Sequence, residues 1–269
     1  MGEPTAPPQP ARPEPARDQL SLSLDAALPN LPAGVRPMLP RPLAEPFDSP
    51  DHLFEPSWGG TRALAFCEPA DRGQLRLIDA DGTDLAGRLP ELGDLCSRVM
   101  ARSALIDGEL VVVDANGRAD APALAERLSD GVGRSEGRNG ARPAVAYLVF
   151  DLLYLDGRPL LGEPLYRRRQ ALRRTLTPGE SVVAVPAIAE EGRALYEAVR
   201  AQGIGGVMAR QRFSPYLPGV RSRLWRFIPA TGAVAKGDGK QQTIGLENPT
   251  GGPGPVLAVI RRLPLDDES

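Results

Sequence analysis

Lysine is almost absent from this sequence, and its scarcity bears on any chemistry that needs an amine. Of the 32 basic residues, only Lys236 and Lys240 are lysines, so residues 1–235 contain no primary side-chain amine. Histidine and cysteine are also scarce, with a single histidine, His52, and two cysteines. Because these few side chains lack metal-ligand spacing, the sequence argues against a structural zinc site and against histidine-based general base catalysis.

Nothing in the sequence predicts a membrane or secreted protein. No apolar run reaches the length of about 18 residues that a transmembrane helix needs. The N-terminal segment MGEPTAPPQP lacks the apolar stretch of a secretory signal. The net charge of −2 provides no overall basic field that would attract nucleic acid. We therefore expect a cytoplasmic protein, which would associate with the nucleoid if it binds DNA.

Composition divides the chain into three parts. Residues 1–33 are rich in proline and alanine and are predicted to form a disordered arm. Residues 34–229 alternate short apolar runs with turn signals, which is typical of a globular domain. Residues 230–269 are rich in glycine and proline and cannot supply a hydrophobic core, but residues 256–263 are predicted to add a last strand.

The apolar pattern of the central part predicts an α+β fold with antiparallel sheets flanked by helices. Strands are predicted at Arg62–Phe66, Leu75–Ile78, Ala104–Val113, Val145–Leu155, Val182–Val185 and Gly206–Ala209. The pairs Asp81-Gly82, Asn116-Gly117 and Asp156-Gly157 indicate hairpin turns. Helical spacing of apolar residues is found in Leu89–Met100, Pro122–Leu128, Leu165–Leu176 and Glu190–Ala201.

Eight segments of the central part occur in a recognisable order. They are Pro37–Pro40, Pro46–Pro50, Phe54–Leu64 (FEPSWGGTRAL), Ile106–Val111 (IDGELV), Phe150–Gly157 (FDLLYLDG), Pro164–Arg169 (PLYRRR), Gly203–Arg210 (GIGGVMAR) and Ser214–Trp225 (SPYLPGVRSRLW). Together they resemble the adenylation domain of bacterial ATP-dependent DNA ligases of the end-joining type. The resemblance implies the ligase and capping-enzyme nucleotidyltransferase fold, which is ATP-grasp-like. Ligases of this type continue into an OB-fold, and residues 230–269 are too few and too rich in glycine and proline for one, so no OB-fold is expected.

The resemblance also implies a nucleophile. In this family a lysine amine attacks the α-phosphate of ATP and forms a covalent lysyl-AMP. Ser57 occupies the position of that lysine, and Gly59 that of a neighbouring acidic residue. A serine hydroxyl needs a general base, and no histidine lies nearby in sequence. Ser57 is therefore interpreted as a surface turn residue rather than as a nucleophile.

Other positions that the resemblance assigns to phosphate and metal also differ. Gly205 replaces a glutamate that helps to hold the metal, so no metal site is expected, and Arg210 replaces the lysine that closes the same motif. Phe227 and Pro229 stand where two lysines meet the α-phosphate, although a one-residue shift would place Arg226 at the first of them. Arginine binds phosphate well, but it stays protonated and cannot replace the nucleophile.

Several positions of the nucleotide cleft keep the residues that the family uses. The candidate cleft residues are Glu55, Arg62, Glu109, Phe150 and Arg210. By resemblance, the Phe150 ring stacks on adenine, Glu109 reaches the ribose and Arg62 belongs to the nucleophile motif. Each has a structural alternative, since Phe150 lies in an apolar run, Glu109 fits a solvated carboxylate and Arg62 fits a surface cation.

A run of arginines on one predicted helix is the candidate DNA-binding element. Its members are Arg167, Arg168, Arg169, Arg173 and Arg174. Helical spacing allows several of them to share a face, as DNA phosphates require. The alternative is a solvated helix face without a partner.

These observations lead to two hypotheses of function. The first is a catalytically inactive ligase-like protein that binds a nucleotide or DNA ends and nicks, or that serves as a scaffold for repair proteins. The alternative is a divergent, active ATP-dependent DNA ligase or adenylyltransferase of DNA repair and recombination. ATP and Mg²⁺ are implied as cofactors by the resemblance alone, and this sequence requires neither.

Overall fold

The computed structural model describes residues 31–68, 75–114, 116–129 and 143–230, together with Ile260. Eleven strands are found in this part of the chain: β1 (Leu39–Pro42), β2 (Ser49–Ser57), β3 (Thr61–Cys67), β4 (Leu75–Asp79), β5 (Ala104–Val112), β6 (Val145–Leu155), β7 (Arg158–Pro159), β8 (Val182–Ala184), β9 (Ile188–Glu190), β10 (Gly206–Gln211) and β11 (Arg221–Pro229). Three α-helices accompany them: α1 (Ala121–Ser129), α2 (Leu165–Thr175) and α3 (Gly192–Gln202). The predicted α+β class is confirmed.

The strands form two sheets. The first has the order β1-β11-β10-β2-β9, and the second has the order β4-β3-β5-β6-β7, with β8 also pairing with β6. Neighbouring strands are antiparallel, as predicted, except that β1 runs parallel to β11 and β8 runs parallel to β6. The Asp156-Gly157 pair closes the β6–β7 hairpin with positive φ at both residues (49° and 74°), which is the geometry expected of a two-residue hairpin turn.

The helical prediction is corrected at one place. The Leu89–Met100 segment forms short 3₁₀ turns at Pro90–Leu92 and Leu95–Arg98 rather than one α-helix. Proline cannot donate a backbone hydrogen bond, and glycine at position 93 destabilises a helix interior, so the apolar spacing alone does not produce a continuous helix. The other three predicted helices correspond to α1, α2 and α3 within one or two residues at each end.

Two hydrophobic clusters hold the fold together. One joins residues of both sheets and of α3, including Phe54, Leu148 and Leu195. The other covers the far face of the second sheet, where the 3₁₀ turns and α2 pack. The first cluster brings the inner faces of the two sheets together, and the candidate cleft residues lie at this junction.

The two ends of the chain are largely outside the described residues. Leu31 is buried and its backbone N–H donates to Glu68 (2.7 Å), so packing begins before the predicted boundary at residue 34. Residues 1–30 of the predicted arm, and Lys236 and Lys240 in the tail, lie outside the described residues. So does the strand predicted at residues 256–263 apart from Ile260, which is helical and packs against the first cluster. No helix in the described part of the chain is long and apolar enough to cross a membrane.

Candidate functional site

Strand β2 carries two candidate residues on the same face, because side chains alternate along a strand. Glu55 and Ser57 both point from this strand towards the junction of the sheets, and Ser57 pairs with Gly206 of β10. Ser57 is buried, with 5% of its surface exposed. The interpretation of Ser57 as a surface turn residue is therefore wrong, since it ends a strand in the interior of the sheet.

Glu55 is the centre of a buried charge cluster. Its carboxylate forms ion pairs with Arg169 of α2 and with Arg210 of β10. Glu55 is 1% exposed, Arg169 5% and Arg210 2%. Arg169 also donates to the carbonyl oxygens of Phe150 (3.2 Å) and Val185 (2.7 Å). One carboxylate thus joins the two sheets and a helix.

The Phe150 ring, implied by resemblance to stack on adenine, already has cationic neighbours. The guanidinium carbon of Arg210 lies 4.0 Å from the ring centroid, and that of Arg62 lies 4.5 Å from it. Both distances are within the range of a cation–π interaction. Trp225 contacts the same ring edge to face at 6.4 Å, and Phe150 is 3% exposed. In this conformation, protein side chains occupy the surroundings of the ring.

Arg62 is held in place by a buried carboxylate. It forms a bidentate pair with Asp107, whose Oδ2 also accepts a hydrogen bond from the Tyr216 hydroxyl (2.6 Å). Burial opposes the charged guanidinium, but the adjacent Asp107 carboxylate outweighs it and raises the pKa of Arg62. Arg62 has a 16% exposed side chain and so is not the surface cation of the alternative interpretation.

Glu109 is also engaged within the protein. Its carboxylate accepts a hydrogen bond from the backbone N–H of Gly60. Burial raises the pKa of Glu109, and the Gly60 hydrogen bond and the charge of Arg62 oppose this shift. A Cβ at Gly60 would lie 2.0 Å from the carbonyl oxygen of Leu110, so this position tolerates only glycine without rearrangement. Glu109 therefore anchors the turn between β2 and β3 rather than standing free in solvent.

The positions that would handle Mg²⁺ do not fit a metal site. Gly205 packs closely on the preceding turn, since a Cβ there would lie 3.0 Å from the carbonyl oxygen of Trp58 and 3.2 Å from that of Ser57. Among the described residues, no group of three or more His, Cys, Asp or Glu side chains is placed to hold a metal. Mg²⁺ at nucleotide sites is usually held by one or two carboxylates together with substrate phosphates and water. Gly205 offers no carboxylate, so the position that the resemblance assigns to the metal does not fit Mg²⁺.

Strand β11 shows whether Phe227 or, after a one-residue shift, Arg226 faces the cleft at the position that the resemblance assigns to a phosphate-binding lysine. Its alternation places Trp225 and Phe227 on the inner face and Arg226 on the outer face. A Cβ at Gly206 would lie 2.9 Å from the Phe227 ring, so an apolar ring stands against β10 at this point. The one-residue shift that would bring Arg226 to the α-phosphate is therefore wrong for this fold.

The candidate DNA-binding run on α2 is divided by burial. Arg168 is 0% exposed and forms a bidentate pair with Asp151 (2.8 Å for each bond), and Arg169 pairs with Glu55 as described above. These two arginines are structural and cannot reach DNA. The exposed members of the run are Arg167, Arg173 and Arg174.

Sequence reasoning missed the partners of the candidate residues. Three of these partners lie within the eight segments, but the resemblance assigned no role to them: Asp107, Asp151 and Tyr216. The spacing of Leu165, Arg168, Arg169 and Leu172 (i, i+3, i+4, i+7) is that of a buried helix face and would have indicated that the two arginines turn inward.

Comparison with known proteins identifies the family. A family model for the ATP-dependent DNA ligase domain matches residues 37–227. The chain is 34% identical over 172 residues to the multifunctional non-homologous end joining DNA repair protein LigD of Mycobacterium tuberculosis, which covers 64% of this chain and 21% of that protein. It is 25% identical over 191 residues to the SPbeta prophage-derived DNA ligase-like protein LigB of Bacillus subtilis, covering 71% of this chain and 66% of that protein.

Among solved structures, the mycobacterial DNA ligase D complexed with ATP and MES matches with a TM-score of 0.59 and 28% identity, over 73% of this chain and 60% of that chain. The chain spans about a fifth of the length of the LigD relatives. The resemblance drawn from the eight segments is confirmed, as is the nucleotidyltransferase fold. The protein belongs to the ATP-dependent DNA ligase domain family.

Proposed function

We propose that this protein is a catalytically inactive member of the family, acting in DNA repair as a DNA-end-binding or scaffold protein. The observation that carries the proposal is the absence of any lysine before Lys236, together with Ser57 at the position that the resemblance assigns to the lysine. Adenylyl transfer in this family begins with a neutral amine, and neither serine nor arginine supplies one.

The neighbours of Ser57 on its own strand support this proposal, because neither His52 nor Glu55 is available to it as a general base. His52 is on the same strand but on its opposite face, and its Nδ1 lies 3.0 Å from the Ser49 hydroxyl. Glu55 shares the face of Ser57, but its carboxylate is engaged by two guanidinium groups. A serine hydroxyl without a base is a weak nucleophile at neutral pH.

The contacts of the Phe150 ring favour weak or absent binding of ATP in the position that the resemblance implies, with adenine stacked on this ring. An adenine ring could stack on Phe150 only after a guanidinium group had moved, and Arg210 is held by Glu55 behind it. Moving Arg210 would also leave the buried carboxylate with one partner instead of two, which is costly. For this reason the proposal places DNA or protein partners ahead of a nucleotide ligand.

Incubation of the purified chain with α-labelled ATP and Mg²⁺ tests catalytic inactivity. We expect no label on the chain after denaturing electrophoresis, and none on the Ser57→Lys variant, because an added amine does not clear the Phe150 ring. A matched sample of an active DNA ligase shows that the reagents work.

Label on the wild-type chain would refute the proposal. Its loss in Ser57→Ala, with persistence in a Lys236→Arg/Lys240→Arg variant, would identify a serine nucleophile and the divergent active enzyme. Acid treatment distinguishes the linkages, since acid cleaves a lysine phosphoramidate more readily than a serine phosphodiester. Label on Ser57→Lys alone would show that the cleft still accepts ATP and that only the amine is missing.

A further inference from the structure

A cavity on the outer face of the first sheet lies away from the cleft. Its volume is about 370 Å³, within the roughly 300–1,000 Å³ typical of ligand pockets. The side chains that line it include Phe47, His52, Gln211, Arg223, Leu224 and Arg226. Strand alternation turns Arg226 away from Trp225 and Gln211 away from Arg210, whereas Arg223 reaches the pocket from the part of β11 that extends beyond its pairing with β10.

The rim of this pocket is basic. Arg223 and Arg226 of β11 line it, Arg41 of β1 is the direct cross-strand partner of Arg226, and Arg221 is exposed at the start of β11. None of these four arginines forms an ion pair with another described residue, whereas all the buried arginines of the described residues do.

The described acidic side chains near the pocket form no ion pairs with these arginines. Asp48 pairs with Arg193 of α3 at 3.5 Å, away from β11. Asp51 is exposed beside His52, and its charge acts on the imidazole. Burial lowers the pKa of His52 against the opposing effect of Asp51, so the ring is neutral at neutral pH and contributes a flat, uncharged surface.

The aromatic lining gives the pocket a second chemical feature. The rings of Phe47 and His52 meet edge to face at 5.0 Å. Proteins that bind single-stranded nucleic acid combine a positively charged groove for the phosphates with aromatic rings for the bases. A concave pocket of this size admits one unstacked base, whereas the stacked bases of a duplex have no access to it.

We propose that this pocket and its arginine rim bind single-stranded DNA, with phosphates on Arg223 and Arg226 and one unstacked base beside Phe47. The inference rests on the proposed DNA-binding role and names the surface through which the protein binds DNA. It replaces the α2 run, whose central arginines are buried, as the DNA-binding element. The strand would lie on the face opposite the Phe150 cleft.

Fluorescence anisotropy with a labelled single-stranded oligonucleotide tests the surface on the full chain. We expect Arg223→Gln/Arg226→Gln to weaken binding at least about tenfold at low salt, and to reduce the slope of log affinity against log salt by about 1.4, the value for two lost phosphate contacts. Phe47→Leu keeps apolar packing but removes the ring, and should weaken binding at least about fivefold. Thermal unfolding of each variant checks that it is folded.

The matched control is Arg102→Gln/Arg158→Gln, which removes the same charge from two exposed positions, one in the bend before β5 and one in β7. We expect its affinity to stay within about twofold of the wild type. An equal loss in this control, or undiminished binding by the Arg223/Arg226 variant, would overturn the proposed surface. Duplex DNA that binds as tightly as the single strand, with an affinity that Phe47→Leu does not change, would also overturn it. Polyglutamate that displaces the labelled oligonucleotide as effectively as unlabelled single-stranded DNA does would overturn it too, and would indicate an acidic protein partner.

Failure of this inference is distinguishable from failure of the proposed function. A wild-type chain that binds no oligonucleotide would refute both the surface and the DNA-binding role, and leave catalytic inactivity to the labelling experiment. A chain that binds DNA through other residues would refute the surface alone.

Discussion

Replacement of Glu55 by glutamine removes the one negative charge between two buried guanidinium groups. Glu55, Arg169 and Arg210 are each at most 5% exposed, so water cannot compensate for the lost charge. Removing one partner of a buried ion pair costs about 3–5 kcal/mol, because the remaining charge stays buried and unpaired. Since Glu55 serves two cations, we expect a loss near the upper value, about 5 kcal/mol, from a typical total of about 5–15 kcal/mol.

Urea unfolding followed by tryptophan fluorescence measures this loss. Trp58 and Trp225 are both buried, so their emission reports on the junction of the sheets. The matched control is Glu163→Gln, which removes the same charge from the exposed pair with Arg167 (side chains 42% and 61% exposed). An exposed pair of this kind contributes less than about 1 kcal/mol.

A second substitution tests whether the charge itself is responsible. Adding Arg210→Met to Glu55→Gln removes one of the stranded cations and should recover about 2 kcal/mol, within the coupling energies seen for contacting residues. A loss below about 1 kcal/mol for Glu55→Gln, or no recovery in the double variant, would refute the view that this cluster stabilises the junction.

Two further predictions follow from the buried groups. Arg168→Met should lower the free energy of unfolding by about 3–5 kcal/mol, measured with urea, because it leaves the buried Asp151 carboxylate without its partner. Arg174→Gln, on the exposed face of α2, should change it by less than about 0.5 kcal/mol. Similar losses in the two variants would contradict the burial of Arg168. Burial raises the pKa of Glu109 above its ordinary 4.5, so folding favours its protonated form and its ionisation destabilises the fold as pH rises above that value. The stability of the wild type relative to Glu109→Gln should therefore fall as the pH rises above 4.5, and a pH-independent difference would show that no shift exists.

The sequence by itself determined the family and most of the regular structure. Strand β6 has the predicted bounds Val145–Leu155, because nine of its eleven residues are buried and the apolar run is nearly continuous. The order of the eight segments was enough to indicate the nucleotidyltransferase fold, which the family match confirms. The lysine deficit was also visible without a structure, since it is a property of composition.

Strands β2 and β11 were not predicted from the sequence, because each carries charged residues that hide its apolar alternation. Glu55 and Arg226 are examples, the first buried against arginines and the second on the outer face. A charged residue is buried only where a counter-charge meets it, and the counter-charge can be far away in sequence. Arg169 is 114 residues from Glu55, so no local pattern reveals their contact.

Only the tertiary structure decided what the retained cleft residues do. Sequence order placed Phe150, Arg62 and Arg210 in the same motifs as in the family, but the packing of two sheets brings both guanidinium groups to the phenyl ring. The same packing buries Arg168 and Arg169 and places Arg226 on the outer face of the first sheet. The physical reason is that sequence specifies which side chains can ionise, whereas burial and distance determine which charges meet a partner, a ring or solvent.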